Sequence, residues 1–349
     1  MRELGEALRR SGVAAIYLLP GAAVDDELRG ILGELSRVLP GARRAGRRLF
    51  RRPAETLLSE AGNYAETYAR LMEESLAAEG EDRLPVRIFH WSRENHHLGR
   101  ADGAVRLIDE LASLDLPPDR RVLLCGHSHG GNVLAILTNL LGDDRRRNER
   151  FFEAAEIYYR WPVLGCVDIP VWQRVRELLS AEPRAALAAI DVVTFGTPIR
   201  YGWDPEGYSR LLHFVHHRPA EGLPAYRAAF PPRLGSVFRS PEGDYVQQLG
   251  IAGTNVAPSV LSWRAWMADQ RLGRILQGDL GSRNPLERFR AGAIVPDEGV
   301  TLLVDYGQSE GPLAEHLAGH AVYTRPEWML FHLEEIARRF YRRALRCAS

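Results

Sequence analysis

Apolar and polar positions along this chain follow two alternating periods. Short apolar bursts at Ala14–Leu19, Val86–Trp91, Val122–His127, Val192–Gly196, Leu211–His216 and Val300–Tyr306 read as strands. Between them lie segments of helical period, among them Asp25–Val38, Leu57–Ala78, Ala101–Ser113 and Gly131–Leu141, and the amphipathic Glu327–Ala344 closes the chain. Buried strands alternating with helices predict an α/β architecture, a mostly parallel sheet flanked by helices. No internal repeat or low-complexity linker divides the chain, so residues 1–349 are expected to form one domain.

Two stretches exceed that plan. Residues 145–189 (Arg145–Ala189) read as a helix-rich insertion that begins just after the Gly131–Leu141 helix. Phe151, Phe152, Tyr158, Tyr159, Trp161 and Trp172 make it either a lid over a site or an extra helical hairpin packed on the core. Pro219–Leu286, rich in Pro and Gly, carries a hairpin signal near Ser236–Val246, and its Trp263 and Trp266 suit the wall of a substrate site.

Composition narrows the chemistry. With 349 residues, 45% of them hydrophobic, the chain can bury one large core. A formal net charge of +0 gives no general pull toward nucleic acid or acidic membranes, so no nucleic-acid partner is expected. The basic run Arg43–Arg52 accordingly reads as a solvated surface segment rather than a phosphate contact. All 45 basic residues are arginine, which excludes a lysine Schiff base, pyridoxal chemistry and a Walker P-loop. Cys125, Cys166 and Cys347 lack metal-ligand spacing and read as free thiols in a reducing, cytoplasmic setting. No apolar run is long enough to cross a bilayer, so stable membrane insertion is not expected. Arg9-Arg10 before Val13–Val24 imitates a leader, yet Ala14–Leu19 ending at Pro20-Gly21 reads as the first strand.

The chemistry concentrates in Gly126-His127-Ser128-His129-Gly130-Gly131, between an apolar strand and an apolar helix. Strand, tight turn with serine at its tip, then helix is the layout of a nucleophile elbow, in which a flanking Cβ would collide with neighbouring backbone. Ser128 is therefore the candidate nucleophile. Such a serine needs a histidine to take its proton and a carboxylate to orient that histidine, in the chain order serine, acid, histidine. His320, in the loop after the last strand, is the candidate base; His316 is the runner-up, and His332 reads as a helix residue outside the site. For the acid, Asp244 lies between the last two strands as the order requires, and Asp305, at the end of Val300–Tyr306, is the alternative. Glu221 also follows Leu211–His216. The oxyanion donors are expected from the N–H of His129 and of Gly21, or its neighbour Ala22, after the first strand. His96-His97 invites a metal reading, but adjacent histidines do not readily chelate one ion, so neither metal nor cofactor is expected.

On these residues, with Phe195-Gly196-Thr197-Pro198 and Gly319-His320, the chain resembles the α/β-hydrolase superfamily, in particular bacterial esterase/lipase-like members. The resemblance implies that Ser128 is the nucleophile and His320 the general base, and it does not fix the acid. The chain departs from the family in lacking a His-Gly pair after the first strand and in its Arg145–Ala189 insertion. The expected activity is cleavage of a small-molecule carboxylic ester through an acyl-serine. Acyl transfer or thioester cleavage by the same triad, or a non-catalytic binding protein of this fold, are the alternatives. Substrate identity and oligomeric state are not legible in the sequence.

Overall fold

Six parallel strands form one sheet in the order β2-β1-β3-β4-β5-β6. They are β1 (Val13–Leu19), β2 (Val86–Ile88), β3 (Arg121–His127), β4 (Ala189–Phe195), β5 (Arg210–His216) and β6 (Val300–Val304). The computed structural model describes residues 1–23, 63–77, 83–117, 119–181, 187–219, 221–225, 243–251, 255–276, 298–308 and 317–342. The expected helix Asp25–Val38, the Arg43–Arg52 run, His316, Cys347 and residues 236–242 of the hairpin expected near Ser236–Val246 lie outside these residues, and where that hairpin is expected to end, Tyr245-Val246 begin a helix instead.

Strand side chains alternate between two cores, as period two demands. Tyr17, Leu19, Val122, Leu124 and Val192 point to one cluster, and Ile16, Leu18, Leu123, Cys125 and Val193 to the other. Because both faces are covered, the central strands read in sequence as unbroken apolar runs. β2 is shorter than the expected Val86–Trp91. Phe89 still donates to the Leu18 carbonyl, but Trp91 has turned off the sheet and donates its indole N–H to the Pro20 carbonyl at 2.9 Å.

On one face lie α1 (Arg2–Arg10), α2 (Glu66–Leu76) and α9 (Met329–Phe340). The other carries α3 (His97–Ala112), α4 (His129–Leu141), α5 (Arg145–Tyr159), α6 (Pro170–Ala181) and α8 (Trp263–Leu276). A short helix, α7 (Tyr245–Ile251), follows the β5 loop. Phe151, Phe152, Tyr159 and Trp172 of the Arg145–Ala189 insertion pack as a core layer, with Tyr158 partly buried against it and Trp161 exposed. Trp172 is stacked between Phe151 (5.7 Å, 9°) and Tyr159 (5.4 Å, 12°), and its indole N–H reaches Asp102 at 2.8 Å. Of the two readings of this insertion, the packing matches the hairpin on the core. Among the described residues, no helix is long and apolar enough to cross a membrane.

β2 lies on one side of β1 and β3 on the other, so the direction of strand addition reverses between β1 and β3. In such sheets the crevice beyond the carboxyl ends at this reversal is where ligands bind. The β3–α4 turn, which carries Ser128, and the loop Pro20-Gly21-Ala22-Ala23 both open there.

Candidate active site

Ser128 joins β3 directly to α4 with φ +50° and ψ −128°. A non-glycine residue rarely holds a positive φ, and the strain persists only where the surroundings over-determine it. They do so here. The Ser128 N–H donates to Phe195 O at 2.9 Å, and its carbonyl accepts from Gly131 N at 3.0 Å. A Cβ on Gly126 would lie 2.7 Å from Gly131 N, and one on Gly130 would lie 2.5 Å from Leu19 O. The glycines thus let the first turn of α4 pass against both β3 and β1, and the turn is clamped around the serine.

His320 comes from the 3-10 segment Leu317–Thr324. Side chains three apart eclipse on a 3-10 turn, so His320 and Tyr323 leave the segment on the same side. Both reach one oxygen. His320 Nδ1 lies 2.7 Å from Asp244 Oδ2, and the Tyr323 hydroxyl donates to that same Oδ2 at 2.9 Å. The second oxygen of Asp244 accepts from Gln247 N at 2.9 Å, in the first turn of α7. The aspartate backbone is anchored by its N–H to His216 O at 3.0 Å, and an antiparallel bridge joins His217 to Gly243. Tyr323 also accepts from His216 N at 2.7 Å, so one hydroxyl ties the end of β5 to the carboxylate. Gly196, at φ +57°, lies between these groups: a Cβ there would meet the Tyr323 ring at 2.4 Å and Asp244 Oδ2 at 2.6 Å. Burial and the Asp244 charge push the Tyr323 hydroxyl well above its usual range, so it remains a donor.

Ser128, His320 and Asp244 are all buried. The elbow and the His320 segment meet through His127. The rings of His127 and His320 lie 4.6 Å apart at 36°, and His127 Nε2 is 3.3 Å from His320 O. Burial, and next the charge of His320, hold the His127 pKa well below normal. Burial, then Arg100, does the same for His129, where the His320 charge is also felt. The His320 charge therefore reaches both neighbours of Ser128.

Asp305 takes no part in this arrangement. It is half exposed, pairs with Arg218 at 3.0 Å and caps Gly307 N at 2.8 Å. Glu221 is exposed. His332 is a core residue between Phe195 and Phe214, pushed down to about 3 by burial and joined to the Tyr306 hydroxyl at 2.7 Å. His96 Nδ1 accepts from Gly99 N at the start of α3, and His97 pairs with the Tyr201 hydroxyl at 2.8 Å. Among the described residues, no group of three potential ligands could hold a metal ion.

The loop after β1 carries the two amides expected as the second donor, those of Gly21 and Ala22. The Gly21 N–H is already donated to Asn63 Oδ1 at 2.7 Å, and the Ala23 N–H to Arg93 O at 2.9 Å. Ala22, buried between them, has the amide that donates to no described residue. Asn63 Oδ1 also lies 3.2 Å from His127 Nδ1, so one asparagine links the loop to the elbow.

A second network has no counterpart in the sequence reading. Arg100, wholly buried, donates from Nε to the Tyr201 hydroxyl at 2.8 Å. It also donates to Asn95 Oδ1 at 2.8 Å and to Asn255 Oδ1 at 2.9 Å. The same guanidinium approaches His129 Nδ1 at 3.4 Å, and Asn132 Nδ2 approaches that nitrogen at 3.1 Å. Both neighbours are N–H donors, so Nδ1 is an acceptor and the neutral His129 carries its proton on Nε2. The buried Asp269 offsets the arginine through Asn255, which donates to it at 3.3 Å. A desolvated guanidinium beside the first residue of α4, together with the N-terminal dipole of that helix, favours negative charge at the elbow. An arginine inside a helix has no pattern that announces burial, whereas Tyr323, three residues past His320, was a readable signal.

No family model, curated protein or solved structure matches this chain.

Proposed function

We propose that this protein is a serine hydrolase with an α/β-hydrolase fold, acting in the cytoplasm to cleave a carboxylic ester through an acyl-Ser128 intermediate. The observation that carries the reading is the strained Ser128 on one sheet edge with the buried His320–Asp244 pair, tied to the elbow through His127. Elbow after the central strand β3, acid after β5 and histidine after β6 is also the order in which such hydrolases deploy a triad.

In this reading Ser128 Oγ attacks the ester carbonyl carbon while His320 Nε2 takes the hydroxyl proton. Asp244 holds the Nδ1–H tautomer and offsets the imidazolium charge at 2.7 Å. The tetrahedral oxyanion accepts from the His129 and Ala22 amides. As the C–O bond breaks, His320 returns the proton to the departing alkoxide oxygen, leaving alcohol and acyl-serine. Water then repeats the sequence and releases the acid.

A fluorophosphonate probe tests the reading. Stoichiometric labelling of the native protein, abolished in Ser128→Ala, is the expected outcome. A folded native protein that takes up no probe overturns it.

A further inference from the structure

Four non-glycine residues among the described ones hold a positive φ, and three of them belong to segments that build the candidate site. They are Ser128 itself, Leu317 at the start of the His320 segment, and Arg93 at φ +60° in the loop after β2. A backbone state this rare persists only where the surroundings fix it. What fixes Arg93 is the loop after β1. The Arg93 carbonyl accepts from Ala23 N at 2.9 Å, and its Nε donates to Gly21 O at 3.0 Å. Main chain and side chain of one residue thus grip the same loop two positions apart. Trp91 adds its indole N–H to Pro20 O at 2.9 Å, and Asn63 Oδ1 accepts from Gly21 N at 2.7 Å.

In a trans peptide the C=O and the N–H point opposite ways. The Pro20–Gly21 unit is held at both ends, by Trp91 and Asn63. The Ala22–Ala23 unit is held through its N–H by Arg93 O. The Gly21–Ala22 unit differs: Gly21 O faces Arg93 Nε, while the Ala22 N–H donates to no described residue although Ala22 has no exposure. A buried amide is seldom left so.

The sheet order gives that amide its direction. β1 lies between β2 and β3, so a carbonyl drawn toward the loop after β2 turns the N–H of the same plane toward the β3–α4 turn. The two segments are in contact there, since a Cβ on Gly130 would lie 2.5 Å from Leu19 O and 2.8 Å from Pro20 O. Burial holds the His127 pKa down first, then the His320 charge, and the Arg93 charge adds to both, so the guanidinium is felt beside Ser128. Resting on the serine-hydrolase reading above, we infer that Arg93 is a positioning residue, turning the Gly21–Ala22 peptide so that the Ala22 N–H faces the oxyanion formed at Ser128. It acts through that peptide rather than on the substrate.

Arg93→Gly in the full chain tests this, because glycine takes φ +60° without strain and removes the guanidinium with its bond to Gly21 O. On p-nitrophenyl acetate kcat should fall about a hundredfold, the low end for a lost oxyanion donor, with KM within about twofold and the unfolding temperature level. A spectroscopic reading follows the amide itself. Gly21-Ala22 is one of four Gly-Ala pairs in the sequence, so labelling glycine with carbonyl 13C and alanine with 15N leaves four correlated amide signals. Ala22→Gly identifies the one that belongs to Ala22. Phosphonylation of Ser128 by a fluorophosphonate places an oxygen where the oxyanion forms, and the native Ala22 proton should then move downfield. In the Arg93→Gly adduct that shift should be lost. A variant kcat within about threefold of native, a loss carried by KM or by a falling unfolding temperature, or an Ala22 shift that is absent in the native adduct or retained in the variant would overturn the inference and leave Ser128 as nucleophile. A native protein that takes up no probe overturns the hydrolase reading, and this inference with it.

Discussion

Replacing Asp244 by Asn, with Asp305→Asn as its counterpart, bears on the whole reading of the site. The Asp244 carboxylate has no exposure and accepts from His320 Nδ1, the Tyr323 hydroxyl and Gln247 N. When His320 becomes cationic, its counter-charge is 2.7 Å away. At that separation Coulomb attraction is about 6 kcal/mol with an effective dielectric near 20. Asparagine keeps a dipole there but also presents an NH2 group, which favours the wrong His320 tautomer. Part of the attraction survives, so kcat should fall about 10³- to 10⁴-fold, or roughly 4–5.5 kcal/mol of barrier. Asp305, half exposed and paired with Arg218, should move kcat less than about twofold when neutralised, as an exposed ion pair does. The assay is kcat and KM on p-nitrophenyl acetate and butyrate, with thermal unfolding as the control for folding. An Asp244→Asn protein within tenfold of the native kcat, or a larger loss from Asp305→Asn, would refute the assignment.

Other substitutions probe the frame around these groups. His127→Phe keeps a ring against His320 but removes the contacts to His320 O and Asn63, so kcat should fall about ten- to a hundredfold with KM nearly unchanged; a change confined to KM would count against a positioning role. Gly130→Ala drives a Cβ to 2.5 Å from Leu19 O and should cost about 3 kcal/mol in urea unfolding. Gly165→Ala, whose Cβ meets nothing, should cost only about 1–2 kcal/mol for its positive φ. Burial pushes His213 down to about 4, so the unfolded chain takes up its proton first as pH falls below the usual range near 6.5. Stability is therefore full above pH 6.5 and declines toward pH 4, by about 3 kcal/mol from this group. His213→Gln should flatten the urea midpoint against pH over that window, and an unchanged slope would refute the assignment.

How much of this was legible depended on where the information resides. The central strands are readable because burial on both faces leaves continuous apolar runs, the edge strands β2 and β6 by short apolar bursts alone, and β2 ends early where Trp91 turns to Pro20 O. The elbow was readable because close backbone approach admits only glycine, a restriction written into single residues. Nothing local announces α1, because nine residues, Arg2–Arg10, with charges at both ends look like a solvated tail until Leu4 and Leu8 pack.

The acid is a different case. Asp244 and Asp305 both follow a strand, and each lies within two residues of a glycine and next to a tyrosine, so local pattern cannot rank them. What separates them is a long-range event: the antiparallel bridge of Gly243 to His217 carries Asp244 back over the end of β5, where Tyr323 and His320 converge on one oxygen. Asp305 ends its strand one position too far along the sheet and turns to Arg218 in solvent. The same holds for the oxyanion loop. Nothing local ranks the amides of Gly21 and Ala22, and only the fold shows that Asn63, brought from forty-two residues away, takes the Gly21 N–H. Sequence reading finds the residues whose own shape is constrained. Residues whose role rests on a partner distant in the chain become visible only when the partner is in place, and for Asp244 that partner is a tyrosine three residues past the histidine it was chosen to serve.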